Sequence, residues 1–295
     1  MRIIFMGASK FGFSCLEKIF EMKEDVVAIF SIPEKFNISY SKNPVKNFNH
    51  KSFRGIAKKF NVPFVEITGK MKEYEDQIRN LNPDLILVIG WYYMIPKRIM
   101  DIPKLGCIGI HNSLLPKYRG GAPLVWAIIN GEKESGVSFF YFAEGVDNGD
   151  IIAQKKFLIT QKDTIKTVYE KAEKKALKIL ERSIPLIKRK KAQKIKQDES
   201  KATYFPQRTP EDGEINWNRK SSEIYNFIRA QTKPYPGAFF YNNVGQKIKI
   251  WKAKFPKKTK KYHKKPGTIL NENKKKIKIV TNDSYIIITD WKLEK

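Results

Sequence analysis

The chain has 295 residues, enough for a large core and two domains, and no apolar run approaches the ~18 residues that a membrane-spanning helix needs. An aromatic content of 13% argues against global disorder. The net charge of +27 points towards polyanions, yet 47 of the 57 basic residues are Lys and only 10 are Arg, so a Lys/Asn/Ile compositional skew explains it as well as a phosphate-rich partner does.

In chain order, Arg2-Ile-Ile-Phe-Met6 is a short buried strand, Gly7-Ala8-Ser9-Lys10-Phe11-Gly12 a tight turn, and residues 13–20 an apolar-periodic helix. Because Met1 to Met6 runs directly into that turn, no signal peptide is expected. Residues 26–31 form a second strand, giving a βαβ opening and hence a parallel sheet with helices on both faces. The Gly-x4-Gly turn lacks a Walker lysine, so a nucleotide site and a plain strand–helix turn both stay open. Residues 33–52 read as a polar loop. Helices follow over 53–60 and 73–80, with a Val-Pro-Phe-Val-Glu strand between them.

Asp84 to Gly90 and Cys107 to His111 are apolar enough for central strands. Residues 137–142 form a later strand and 164–190 a long amphipathic helix. The two cysteines, Cys15 and Cys107, lack metal-ligand spacing, which favours buried thiols in a reducing, cytoplasmic setting. The boundaries expected are a Rossmann-like domain over 1–190, a solvated basic linker over 191–203, and a small OB-like β-barrel over 204–295. The barrel strands are 247–253, 267–270, 276–280 and 285–289, with one helix over 221–232 and a basic loop over 257–265.

His111 is one of only three histidines, and it ends a central strand, where open α/β sheets collect their chemistry. Asp147 follows 36 residues later in the turn Gly145-Val-Asp-Asn-Gly-Asp150. A histidine facing a loop carboxylate suits acid–base work, with Asp147 fixing the imidazole tautomer and Asp150 pointing elsewhere. Arg119, between Tyr118 and Gly120, is either a structural cation or a contact for an anionic substrate.

The run from Leu105 to Gln154 resembles the folate-dependent N-formyltransferases, of the sugar-nucleotide and methionyl-tRNA types. It carries Ser113-Leu-Leu-Pro116, Tyr118-Arg-Gly120, Ala122-Pro-Leu124 and Gly145-Val-Asp-Asn-Gly-Asp150 in the family's order. Arg208-Thr-Pro-Glu-Asp-Gly-Glu-Ile-Asn-Trp217, Ile228-Arg-Ala-Gln-Thr232 and Pro234-Tyr-Pro-Gly-Ala-Phe239 resemble the family's C-terminal domain.

The resemblance implies formyl transfer from N10-formyltetrahydrofolate to a primary amine, without a metal. By that analogy His111 exchanges the proton and Asp147 assists it, while Tyr93, Met94, Ile95, Ser113, Leu114, Leu115, Pro116, Ala143, Glu144, Gly145 and Val146 line the folate pocket. One position departs from the pattern. The family has an asparagine two residues before its histidine, where this chain has Gly109; Asn112 is the nearest candidate substitute.

The aromatic run Trp91-Tyr92-Tyr93 and Trp126 look more like the sugar enzymes, in which rings pack on a base or a sugar, and Phe36 to Asn43 carries no arginine. The resulting expectation is a 4-amino sugar nucleotide as acceptor. The alternatives are initiator Met-tRNA and a non-catalytic binding protein with a degenerate site. A homodimer is compatible with the sequence and a membrane partner is not expected.

Overall fold

A computed structural model describes residues 1–38, 44–256, 261–273 and 276–294. By packing, the chain forms two compact units that interleave in sequence. The first comprises Met1–Arg119, Gly136–Phe157 and Lys171–Tyr204; the second comprises Gly120–Ser135, Leu158–Glu170 and Phe205 onward. Among the described residues, no helix is long and apolar enough to cross a membrane.

The first unit is built on a sheet of strands β1 (Arg2–Met6), β2 (Asp25–Ser31), β3 (Phe64–Glu66), β4 (Leu85–Ile89), β5 (Cys107–His111), β6 (Glu134–Tyr141) and β7 (Ile151–Leu158). Their spatial order is β7-β6-β5-β4-β1-β2-β3. The pairs β1–β2, β1–β4, β2–β3 and β4–β5 are parallel, as the βαβ opening requires. The sheet is nevertheless mixed, because β6 runs antiparallel to β5, with His111 opposite Ser138 and Ile108 opposite Tyr141. Every residue of β4 and β5 is buried, which is why both read as unbroken apolar runs. Strand β7 was not expected, since its exposed and buried positions alternate over a lysine-bearing segment and make little apolar signal.

Helix α1 (Lys10–Glu21) starts on Ser9, whose hydroxyl accepts from the Gly12 N–H at 3.1 Å. Its buried face holds Phe11, Gly12, Cys15, Leu16 and Ile19, spaced to share one side of a helix. Cys15 and Cys107 are free, and burial pushes both thiols up, so neither is a reactive thiolate.

The first glycine turn is sealed by protein. The Ala8 carbonyl accepts from Asn47 Nδ2 at 2.9 Å and from the Lys51 N–H at 3.3 Å, while the Lys10 N–H donates to the Asn49 carbonyl at 2.8 Å. Phe53, with no exposed surface, stacks 6.0 Å from Phe5 and meets Phe13 edge-on at 5.4 Å. A nucleotide phosphate would need the N–H groups of this turn, and those of Gly7, Ala8, Lys10 and Gly12 already donate to the carbonyls of Phe30, Gly90 and Asn49 and to the Ser9 hydroxyl. Of the two readings of the turn, the structure supports the plain strand–helix connection. Residues 39–43 of the neighbouring loop lie outside the described residues.

The second unit carries β8 (Ala238–Tyr241), β9 (Lys247–Lys254), β10 (Ile269–Asn273), β11 (Lys276–Val280) and β12 (Tyr285–Leu293), in the order β8-β9-β12-β11-β10 with antiparallel pairing. Strands β8 and β10 do not pair, so among the described residues this is an open half-barrel rather than a closed barrel. Helix Ser221–Ala230 covers its apolar face, where Ile224 and Ile228 join Ala238, Phe240, Ile248, Ile250, Ile277, Ile279, Ile286 and Ile288. In the basic loop over 257–265, residues 257–260 lie outside the described residues.

Gly12 tests the packing of the first unit. A Cβ there would sit 2.3 Å from the Ile89 carbonyl oxygen, a backbone atom with nowhere to go. Gly12→Ala is expected to destabilise by about 1–3 kcal/mol, read as a lower denaturant midpoint with an unchanged slope.

Candidate active site

His111 is the last residue of β5, and its side chain is only 10% exposed. Both ring nitrogens have partners. Nε2 lies 2.7 Å from the Tyr118 carbonyl oxygen, and Nδ1 lies 3.5 Å from Asp147 Oδ2. A carbonyl oxygen only accepts, so it holds the proton on Nε2 and leaves Nδ1 as the atom that gains or loses one. The tautomer is thus set by Tyr118 rather than by Asp147, as the sequence had suggested. The spacing Tyr118-Arg119-Gly120 gave no sign of this, because the contact is made by a main-chain atom.

Asp147 reaches His111 because the segment after β6 turns back over the Gly109 face of β5. Phe142 packs on that face, and Asp147 itself takes a left-handed conformation with φ +50°. Asp tolerates this region better than most residues, and Asp-Asn-Gly is good turn chemistry. Asp150 lies beside Tyr141, whose hydroxyl is raised first by burial and then by that carboxylate.

Gly109 is closely packed on its open side. A Cβ at this position would come within 2.4 Å of Phe142 Cε1 and 2.6 Å of the Val88 carbonyl oxygen. The Phe142 ring fills the space that a larger residue at 109 would take. Asn112 follows His111 in the bend beyond the strand; its Oδ1 is buried and without a hydrogen-bond partner.

The loop residues expected to hold a ligand divide into two groups. Ile95, Ser113 and Leu115 have side chains inside the protein. Ser113 Oγ donates to the Lys117 carbonyl at 2.6 Å, and the Leu115 N–H donates to Ser138 Oγ at 3.0 Å, so these residues brace the turn and offer a ligand no side chain. Leu114 packs on Gly136, and Pro116 is half-buried behind it.

Met94, Ala143, Glu144, Gly145 and Val146 are exposed. Tyr93 stands between Trp91 and Phe36, with ring centroids 5.9 and 5.6 Å away. Tyr92 packs on Phe36 and donates its hydroxyl to Asn47 Oδ1 at 3.0 Å. Trp91 Nε1 and Asn148 Oδ1, like Asn112 Oδ1, are buried without a partner. Unpaired polar atoms in three loops, together with exposed apolar Met94 and Val146, fit a surface that a polar aromatic molecule such as a folate would complete.

Arg119 resolves to the structural alternative. It has no exposed surface, and all five of its N–H donors are used. Nη1 donates to Glu199 Oε2 at 2.8 Å and to the Tyr204 hydroxyl at 2.7 Å. Nη2 donates to Glu199 Oε1 at 2.6 Å and to Gln197 Oε1 at 2.8 Å, and Nε donates to Gln197 Oε1 at 3.2 Å. Nothing is left over for a substrate anion, so the expected substrate contact is corrected. The guanidinium also holds the Glu199 carboxyl below the usual range.

Residues 1–184 match the formyl transferase family, and residues 208–295 match the formyl transferase C-terminal domain. The chain belongs to the formyl transferase family. It is 34% identical over 292 residues to methionyl-tRNA formyltransferase of Clostridioides difficile (strain 630), covering 98% of this chain and 91% of that one.

It is also 42% identical over 198 residues to the bifunctional polymyxin resistance protein ArnA of Wigglesworthia glossinidia brevipalpis, covering 67% of this chain and 30% of that protein. The fold matches the N-formyltransferase of Helicobacter canadensis in complex with folinic acid and dTDP-3-aminofucose. The TM-score is 0.72 at 22% identity, covering 98% of this chain and 99% of that one. The chain is thus a formyltransferase by family, and the Helicobacter enzyme of the same fold is seen with folinic acid.

In this formyltransferase the space beside Gly109 is closed by Phe142. Gly109→Asn alone is expected to lose about 1–3 kcal/mol of stability. Phe142→Ala in the same chain should recover part of that loss, giving a coupling of about 0.5–3 kcal/mol in a double-mutant cycle.

Proposed function

We propose that this formyltransferase carries a formyl group from N10-formyltetrahydrofolate to the 4-amino group of a nucleotide-linked amino sugar. The observation that carries the transfer chemistry is His111 held between the Tyr118 carbonyl and Asp147. An amine that attacks a formyl carbon must shed a proton, and Nδ1 is the unprotonated ring nitrogen that can take it. The Asp147 carboxylate beside Nδ1 then stabilises the imidazolium, which gives the proton to N10 as the bond from the formyl carbon to N10 breaks and tetrahydrofolate leaves. The oxygen of the formyl group gathers negative charge during the attack and needs a donor. With Gly109 lacking a side chain, we assign that role to the Nδ2 amide of Asn112, the side chain that directly follows His111 beyond the strand.

The sugar acceptor is supported by the aromatic run beyond β4. Trp91 packs on Tyr93 and Tyr92 on Phe36 and Asn47, and the pair Trp91 and Tyr92 suits the face of a base or sugar ring. Methionyl-tRNA is the second reading, and two observations favour it. Curated relatives covering nearly the whole chain are methionyl-tRNA formyltransferases. Two lysines of the C-terminal unit also lie on aromatic rings, with Lys247 3.9 Å from the centroid of Phe239 and Lys233 5.4 Å from that of Trp251.

Incubation with N10-formyltetrahydrofolate and a panel of acceptors separates the readings. UDP- or dTDP-linked 4-amino sugars should be formylated; product on methionyl-tRNA alone, with binding that weakens steeply above ~100 mM salt, would replace the sugar with the tRNA. His111→Ala should abolish turnover in either case. Asn112→Ala should lower kcat by about 10²-fold, the loss typical of one missing oxyanion donor; an unchanged kcat would remove Asn112 from the mechanism.

A further inference from the structure

The segment 191–203 is exposed in most of its side chains, yet it is fastened at several points to the loops that bear the reacting pair. Ile195 pairs with Ile151 through two main-chain hydrogen bonds of 2.8 and 2.9 Å. Gln197 Nε2 donates to the carbonyls of Asp147 at 2.8 Å and Gly149 at 2.7 Å. Its Oε1 accepts from buried Arg119, and Glu199 grips the other side of the same guanidinium. Further along, the Thr203 hydroxyl accepts from the Tyr118 N–H at 2.8 Å, and the Thr203 carbonyl accepts from the Arg119 N–H at 2.8 Å. Tyr118 and Asp147 are both left-handed, with φ of +60° and +50°, and both are held by this strap.

We propose that residues 195–203 form a positioning strap in which Gln197 aims Asp147 at Nδ1 of His111, and Thr203 aims the Tyr118 carbonyl at Nε2. The argument is one of geometry and cost. Left-handed backbone is unfavourable for non-glycine residues and persists where the surroundings fix it. Gln197 has one carboxamide for two tasks: its oxygen is anchored by Arg119, so its NH2 group can point only at the 147–149 carbonyls. The two ring nitrogens of His111 are therefore served by one segment of chain, 86 residues beyond it at Gln197 and 92 at Thr203. Neither residue touches the reacting atoms; both act through Asp147 and Tyr118.

The inference rests on the reading of His111 and Asp147 as the reacting pair, and two variants of the full chain test it. Gln197→Glu keeps the acceptor for Arg119 but turns a carboxylate on the loop carbonyls. It is expected to lower kcat by about 10- to 100-fold, the effect of a small misplacement, with KM for both substrates changed less than about twofold. Thr203→Val removes the hydroxyl that holds Tyr118. Nitrogen-15 spectra of the imidazoles, with only three histidines to assign and His111→Ala to identify the signal, supply a readout independent of turnover. Gln197→Glu should move Nδ1 of His111, and Thr203→Val should move Nε2. If both variants leave the imidazole signals in place, or if kcat falls only in step with thermal stability, the strap is merely structural. If the wild-type chain formylates nothing but its His111 signals respond as stated, the positioning holds and the assigned chemistry fails.

Discussion

A guanidinium with no exposed surface must find a partner for each of its N–H groups, and the burial of Arg119 imposes that demand on the first unit. One carboxylate and one amide meet most of it, in the fork geometry that Arg takes with planar acceptors. Both come from the segment after the long helix Ile165–Lys188, so this segment cannot wander even though most of its side chains face water. Removing one partner would leave a buried charge uncompensated, which is far costlier than losing an exposed ion pair. From this single constraint follow the placement of Gln197, the fixing of the 147–149 carbonyls, and the distance from Asp147 to His111.

Much of this was legible in the sequence, and the parts that were not share a cause. Strands β4 and β5 announced themselves because a strand buried on both faces is apolar throughout. His111 was legible by its rarity and its place at a strand end, and Asp147 by its turn. The mixed direction of the sheet was not, since an apolar strand such as β6 carries no mark of whether its neighbour is parallel or antiparallel. The Tyr118 carbonyl was invisible for a deeper reason: every residue has one, and only the fold decides which of them meets a ring nitrogen. The basic stretch 191–203 looked like solvated linker because charge was counted and Gln197 was not. A lone glutamine carries no pattern, whereas Arg119 already raised the question of where its partners lay.

The ligand-facing loops show the same division between side chains that contact and side chains that brace. Ser113 and Leu115 belong to the motif that marks the family, yet both are buried. Their contribution is the shape of the turn that follows His111, through Ser113 Oγ on Lys117 and Ser138 Oγ on Leu115. Ser138 sits opposite His111 in the register of β5 and β6. It also donates to the Ser113 carbonyl at 2.7 Å and accepts from Gln154 Nε2 at the same distance. A motif residue can therefore be essential to the site without ever meeting a ligand, and substitution there would act through the backbone.

Gly109 and Phe142 limit how the chemistry can be arranged. In a sheet, residues two apart share a face, so positions 109 and 111 both look towards the loop that bears Asp147. A donor at 109 would thus stand beside the imidazole, and Phe142 occupies that very place. The aromatic ring is packed against that face of the strand. It also removes the nearest position from which an amide could reach the oxygen of a formyl group. The site has in effect exchanged a polar neighbour for an apolar one. The donor proposed in its stead lies beyond the strand end, at Nδ2 of Asn112.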